Sequence, residues 1–201
     1  LENHQCDALF MPDVEEVYGH KKAVEINLGS ITEELEGKLR PGHFNGVALV
    51  VSKLFNIIQP ELAFFGQKDV QQFFVIQKLR DALNFNIELE MVPTRREKSG
   101  LAMSSRNLRL SQADAQEASL IYTCLKMAKE NLLKGTSLKS VKDSILELFE
   151  SSERLALEYF EAVSIDDFKP LTVVEEKSKI VLCMAAVIGN VRLIDNIPLF
   201  S

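Results

Sequence analysis

Leu62-Ala63-Phe64-Phe65-Gly66-Gln67-Lys68-Asp69-Val70-Gln71-Gln72 is the stretch on which the fold turns. Four apolar residues stopped by a glycine read as a strand, and Phe73, Ile76, Leu79 and Leu83 then recur at helical spacing. Ile87 to Val92 reads as a second strand, so residues 61 to 92 form a β-α-β unit with a parallel pair of strands. Gly66, Lys68 and Asp69 fall where the strand's carboxyl end meets the helix's amino end. Open α/β sheets collect ligands at this edge, because free backbone N–H groups and the helix dipole point into the crevice. Gly66 lets backbone approach a ribose or phosphate, Lys68 offers a point charge, and Asp69 either caps the helix or accepts from ribose hydroxyls. One of Gln71 and Gln72 faces the same crevice, and the other is expected in solvent.

Upstream, Arg40-Pro41-Gly42-His43 leads into Phe44, Val47, Ala48, Val50, Val51, Leu54, Phe55, Ile57 and Ile58, apolar at helical spacing until Pro60. This helix is apolar around much of its circumference and should be buried. Residues 7 to 11 and 23 to 28 have strand character, with an acidic segment between them ending at Tyr18-Gly19. Downstream of Pro93 the character changes. Ser111-Gln112-Ala113-Asp114 resembles a capping box opening one long amphipathic helix to Gly135, and Ser137 caps another through Val141, Ile145, Leu148 and Phe149. The tail from Glu158 to Pro198 alternates as two or three strands, with a hairpin turn at Gly189-Asn190. The expected architecture is α/β: residues 1–93 as the later part of a Rossmann-like nucleotide-binding domain with parallel strands, and 94–201 as a smaller α+β carboxy-terminal lid domain.

The joint is basic. Between Thr94 and Arg109 stand Arg95, Arg96, Lys98, Arg106 and Arg109 against Glu97, in a chain of formal net charge -6. Within it, Gly100-Leu101-Ala102-Met103-Ser104-Ser105-Arg106-Asn107 combines a flexible residue, two hydroxyls and an arginine fork. Hydroxyls and backbone N–H groups donate to phosphate oxygens, and arginine neutralises charge developing on a departing pyrophosphate. A lone arginine cluster is more often a solvated loop; the company of Gly66, Lys68 and Asp69 favours a phosphate grip.

Composition excludes other classes. An acidic chain does not suit a general nucleic-acid binder, and no stretch has the apolar length of a membrane span, so the expected partners are small molecules, with no nucleic acid and no membrane. Three separated cysteines, Cys6, Cys124 and Cys183, suggest neither a disulfide framework nor a zinc site and fit a reducing cytoplasm. The three histidines, His4, His20 and His43, are too dispersed to form a metal site, and no protein metal ligands are expected. No serine or cysteine triad stands out.

Three blocks carry a resemblance: Arg40-Pro41-Gly42-His43-Phe44-Asn45-Gly46-Val47, Phe64 to Gln72, and Gly100 to Asn107. In this order and spacing they resemble the pantothenate synthetase (pantoate-β-alanine ligase) family of the nucleotidyltransferase superfamily, with the last block matching the mobile signature loop of the class I aminoacyl-tRNA synthetases. The resemblance implies an ATP-dependent ligase that forms pantoyl adenylate and then pantothenate from β-alanine. It implies triphosphate binding and catalysis by Lys68, Ser104, Ser105 and Arg106, adenine contact by the backbone of Met103 and Arg95, and ribose contact by Gly66 and Asp69. Magnesium is implied with ATP. Gln72 is implied to orient pantoate, with its dimethyl group on Phe65, Val47, Val50, Val51 and Leu54, and with Arg40 and His43 nearby. The full-length family is expected to be homodimeric and cytoplasmic.

Two departures stand out. Arg95 replaces the family's usual aliphatic residue, and the family's amino-terminal His-x-Gly-His loop is not among these residues. The chain therefore reads as a fragment expected to be poorly active alone. A non-catalytic lid or assembly fragment is the alternative, and a ligase of the same superfamily for another acid is a third reading, disfavoured by Gln72 and the apolar helix.

Overall fold

The computed structural model describes residues 5–19, 24–175 and 179–199. Its helices are α1 (Val14–Tyr18), α2 (Glu36–Leu39), α3 (His43–Ile58), α4 (Val70–Ala82), α5 (Gln112–Ala118), α6 (Leu120–Leu133) and α7 (Leu138–Glu150), and its strands are β1 (Leu62–Gly66), β2 (Glu88–Val92), β3 (Leu155–Ser164), β4 (Ile180–Ile188) and β5 (Val191–Pro198). Short 3-10 turns occupy Ser30–Thr32, Gln67–Asp69 and Ser105–Arg109.

The β-α-β unit forms as expected. β1 and β2 pair in parallel from Leu62 opposite Glu88 to Gly66 opposite Val92. Their alternation puts Ala63, Phe65 and Leu89 against buried Ala48, Val51 and Phe55 of α3 and Ile76 and Leu79 of α4. Helix α3 stops where Gln59, just before Pro60, turns left-handed at φ 51°.

The second sheet is antiparallel, ordered β3-β4-β5. Its central strand reads Ile-Val-Leu-Cys-Met-Ala-Ala-Val-Ile, without polar alternation, because both faces are covered. Leu182 and Met184 pack with Ile121, Leu125 and Ile145 of α6 and α7. Val181 and Cys183 join Ile31, Phe44, Val70, Val75, Val163 and Phe168 in a cluster drawn from both sides of Pro93. The free edge of β5 is met by side chains: Arg106 donates to the Arg192 carbonyl at 3.1 Å and Arg109 to that of Asn190 at 3.2 Å.

Three expectations need correction. Residues 7–11 form no strand and lie exposed, Met11 at 81%; residues 24–28 are likewise unpaired. Apolar character alone cannot make a strand without a partner edge. The long helix after Ser111 divides at Ser119, whose hydroxyl donates to the Gln116 carbonyl at 2.6 Å in competition with the helical ladder. The last sheet begins at Leu155, ahead of Glu158. Both serines cap their helices, Ser111 Oγ accepting from the Asp114 amide and Ser137 Oγ from that of Ser140, but the reciprocal half of the capping box does not form, because Asp114 accepts from the Ser111 hydroxyl at 2.6 Å. His4, His20 and position 23 of the expected second strand lie outside the described residues.

Candidate active site

Strand β1 delivers Lys68 and Asp69 to the turn at its carboxyl end. Asp69 is the N-cap of α4 by position, yet its side chain makes no cap hydrogen bond, so the carboxylate is exposed and uncommitted. Gln72, half-buried one turn on, faces the same space. Arg40, His43, Lys68, Asp69 and Gln72 line one open cleft, walled by Glu36, Tyr159, Asp195 and Asn196.

Gln71 is not the solvated glutamine anticipated. It is 4% exposed, donates to the carbonyls of Ile31 and Glu34, and accepts from the Glu36 amide. It thereby fastens α2 to α4. Arg40 Nη1 lies 3.1 Å from His43 Nε2. Burial, and then the Arg40 charge, hold the His43 imidazole below its usual range. The neutral ring accepts at Nε2 from Arg40, since a guanidinium can only donate.

The basic segment is ordered as a small ribbon. The Met103 amide donates to the Arg95 carbonyl, the Glu97 amide to that of Leu101, and Arg96 bridges Ala102 between them. Gly100 closes the tip at φ 92°, a conformation costly for other residues. Ser104 then caps the turn Ser105–Arg109 by accepting from the Arg106 amide at 3.2 Å. Glu97 accepts from Asn107 at 2.9 Å.

Lys68 and Ser104 line a second, smaller cavity with Leu101, Tyr122 and Asp195. Lys68 thus stands between two adjoining spaces. Met103 and Ser105 are exposed on the loop, and Arg95 is exposed at its base. The Arg106 guanidinium rests on β5. Val47, Val50, Val51 and Phe65 lie in an apolar core cluster and Leu54 is half-buried on α3, and none of the five lines either space. Gly66 ends β1 without lining either space. Among the described residues no three of His, Cys, Asp and Glu gather as a metal site.

Sequence reasoning missed four residues on this wall, Glu36, Tyr159, Asp195 and Asn196, and Arg192, which pairs with Glu36. Glu36 is 8% exposed and is held by Arg192 and by the Tyr159 hydroxyl at 2.8 Å. Burial alone would raise its carboxyl, but these two donors outweigh it and keep it below the ordinary value. Burial, aided by the Glu36 carboxylate, pushes the Tyr159 hydroxyl up, so it stays a donor. The available signal was Asp195-Asn196, two adjacent polar residues flanked by Ile194 and Ile197 within a strand.

The sequence profile of pantoate-beta-alanine ligases matches residues 1–198. The chain belongs to this family. It is 47% identical over 199 residues to the pantothenate synthetase of Carboxydothermus hydrogenoformans, covering 98% of this chain and 69% of that ligase. It is 45% identical over 196 residues to that of Cytophaga hutchinsonii, covering 96% and 68%. The crystal structure of the Thermus thermophilus pantothenate synthetase superposes with a TM-score of 0.91 at 34% identity, over 100% of this chain and 72% of that one. The Francisella tularensis ligase, crystallised with beta-gamma ATP and beta-alanine, superposes with a TM-score of 0.69 at 30% identity, over 92% and 62%. The ligase family thus accounts for both the parallel unit and the antiparallel sheet.

Proposed function

We propose that the chain binds ATP and pantoate at the Lys68 junction and joins pantoate to β-alanine through a pantoyl adenylate. The observation that carries this reading is the position of Lys68, which borders both the Gln72 cleft and the Ser104 cavity. One cation there touches the nucleotide's phosphates and the acid being activated.

In the first step a pantoate carboxylate oxygen attacks the α-phosphorus, and the bond to the bridging oxygen breaks with its electron pair leaving on pyrophosphate. In the second, the β-alanine amine attacks the acyl carbon, AMP departs, and the amine loses a proton. Neither step needs a protein nucleophile. What the first needs is alignment and donors on the leaving group. Lys68, Ser104, Ser105 and Arg106 are assigned to the phosphates, Arg95 and Met103 to adenine through backbone, Gly66 and Asp69 to the ribose. Gln72 orients pantoate over Phe65, Val47, Val50, Val51 and Leu54, with Arg40 and His43 beside it.

Magnesium accompanies ATP as its phosphate counter-ion in this reading. Its ligands in this reading are the phosphates of ATP: Asp69 is given to the ribose, Glu36 is taken by Arg192, and among the described residues no three of His, Cys, Asp and Glu gather as a metal site. Residues 1–93 serve as the nucleotide-binding unit and 94–201 as the lid unit. The reading also places the protein in the cytoplasm, and the full-length form as a homodimer. No described helix is long and apolar enough to cross a membrane.

The deciding experiment is AMP release from ATP on addition of pantoate and β-alanine. Release that requires all three supports the reading, and nucleotide turnover indifferent to pantoate would overturn it.

A further inference from the structure

We propose that Asp195 and Asn196 on β5 are positioning residues that set the distance between the two phosphate-binding segments. This rests on the ATP site assigned above and adds how its two sides are kept in register.

Asn196 is 2% exposed, and its amide donates to the carbonyls of both Gln67 and Lys68 at 2.9 Å. Its oxygen accepts from Gln67 Nε2 at 3.4 Å. Asp195, 4% exposed, takes both ends of the Arg96 guanidinium, at 2.5 and 3.0 Å. Arg96 in turn stacks 3.6 Å above the Tyr122 ring and donates to the Gly100 carbonyl at 3.2 Å. Asp195 Oδ1 also accepts from the Asn196 amide at 2.8 Å.

Adjacent residues of a strand point to opposite faces. Asn196 pairs in register with Cys183, in the cluster shared with the β-α-β unit, and Asp195 with Met184, on the α6 side. One face therefore grips the Lys68 turn and the other grips the Ser104 loop. The separation of the two is fixed by a single peptide unit of an ordered sheet rather than by the chain through Pro93.

The chemistry of each residue suits its task. Two carbonyl acceptors require a donor with two hydrogens, which asparagine has and aspartate lacks. A guanidinium fork requires a carboxylate for a paired grip. A purely structural position gains little from buried charge, since apolar residues of similar volume serve stability as well.

The test is a double-mutant cycle in the full-length protein, read as pantoate-dependent ATP–pyrophosphate exchange with circular dichroism as the folding control. Asn196→Ala should lower the exchange kcat by about 10- to 100-fold, the cost of a displaced catalytic group, while the folded signal is kept. In a Lys68→Ala background the same change should cost less than about twofold, because the group it positions is gone. Asn196→Asp, which keeps volume and turns oxygens toward the two carbonyls, should repeat the loss. Additive losses of Asn196→Ala and Lys68→Ala would overturn the brace while leaving the ATP site standing. An unaffected Lys68→Ala variant would remove the site reading and the brace together. Unfolding of both Asn196 variants would also overturn it, since the residue would then hold the chain together rather than place Lys68.

Discussion

The guanidinium of Arg192 and the carboxylate of Glu36 meet through two hydrogen bonds of 2.7 Å each across 156 positions of sequence. The same guanidinium donates to Glu158 at 2.6 Å, so it ties α2 to the β3 bulge that frees Glu158 from the ladder. Glu36's folded-state carboxyl lies below its ordinary value of 4.5. A depressed carboxyl stabilises the fold fully above its unfolded value and loses that contribution as pH falls through the folded one. Thermal melts from about pH 7 to about pH 3 should show the wild-type midpoint approaching that of Glu36→Gln below about pH 4.5. A gap independent of pH would refute the coupling. Arg192→Ala leaves a buried charge unpaired and should cost about 3–5 kcal/mol in urea unfolding.

Arg106 spans from the signature loop to β5, and its proposed role on the leaving pyrophosphate requires the planar charged fork. Arg106→Ala in the full-length ligase should reduce pyrophosphate exchange by about 100-fold with smaller changes in stability. Arg106→Lys should recover only part, because a point charge lacks the paired donors. Unchanged exchange in Arg106→Ala removes the assignment.

Gly100 carries two constraints at once. Its φ is 92°, and a Cβ there would stand 2.8 Å from Tyr122 Cδ1. Gly100→Ala should destabilise by about 1–2 kcal/mol from the backbone alone. Tyr122 would also have to move, loosening the stack under Arg96, so the KM for ATP should rise as well. A variant with wild-type melting and KM would show that the ribbon tip is free to rearrange.

His43 should titrate below 6.5. Proton NMR of its ring resonances gives the midpoint directly. Since Arg40 is a cause second to burial, Arg40→Ala should move the midpoint upward without restoring it fully. A wild-type midpoint at or above 6.5 contradicts the neutral ring.

The cysteines should react in two classes. Cys6 is exposed, whereas burial pushes the Cys124 thiol up to about 11 and that of buried Cys183 higher still. An aromatic disulfide reagent near neutral pH should label Cys6 quickly and the other two only on unfolding. Rapid labelling of all three in the folded protein would show that the core opens readily.

Elements whose causes are local were legible in the sequence. The β-α-β unit announces itself by an apolar run, a glycine and a period change within a few dozen residues, and Ser111 and Ser137 bond to amides three positions away. The segments at 7–11 and 24–28 misled because a strand is made by its neighbour, which residue type does not reveal. Gln71 and Gln72 are one step apart in an identical composition, and only the packing of α2 decides that Gln71 is the clamp. Arg96 reads as one more cation of the basic segment until Asp195, 99 positions away, is brought beside it. The cleft residues were legible through the family blocks; the wall that braces them was not, because its members come from α2, β3 and β5.

The cluster of Ile31, Phe44, Val70, Phe168, Val181 and Cys183 spans the joint at Pro93. Swinging the two units apart as rigid bodies would bring these side chains into water, at about 25 cal/mol for each Å² of apolar surface. The turn Ser105–Arg109, by contrast, buries none of its residues, with Leu108 90% exposed. In hydrogen exchange the amides of Ser105 to Arg109 should therefore open well before those of α4, which buries Val75, Ile76 and Leu79.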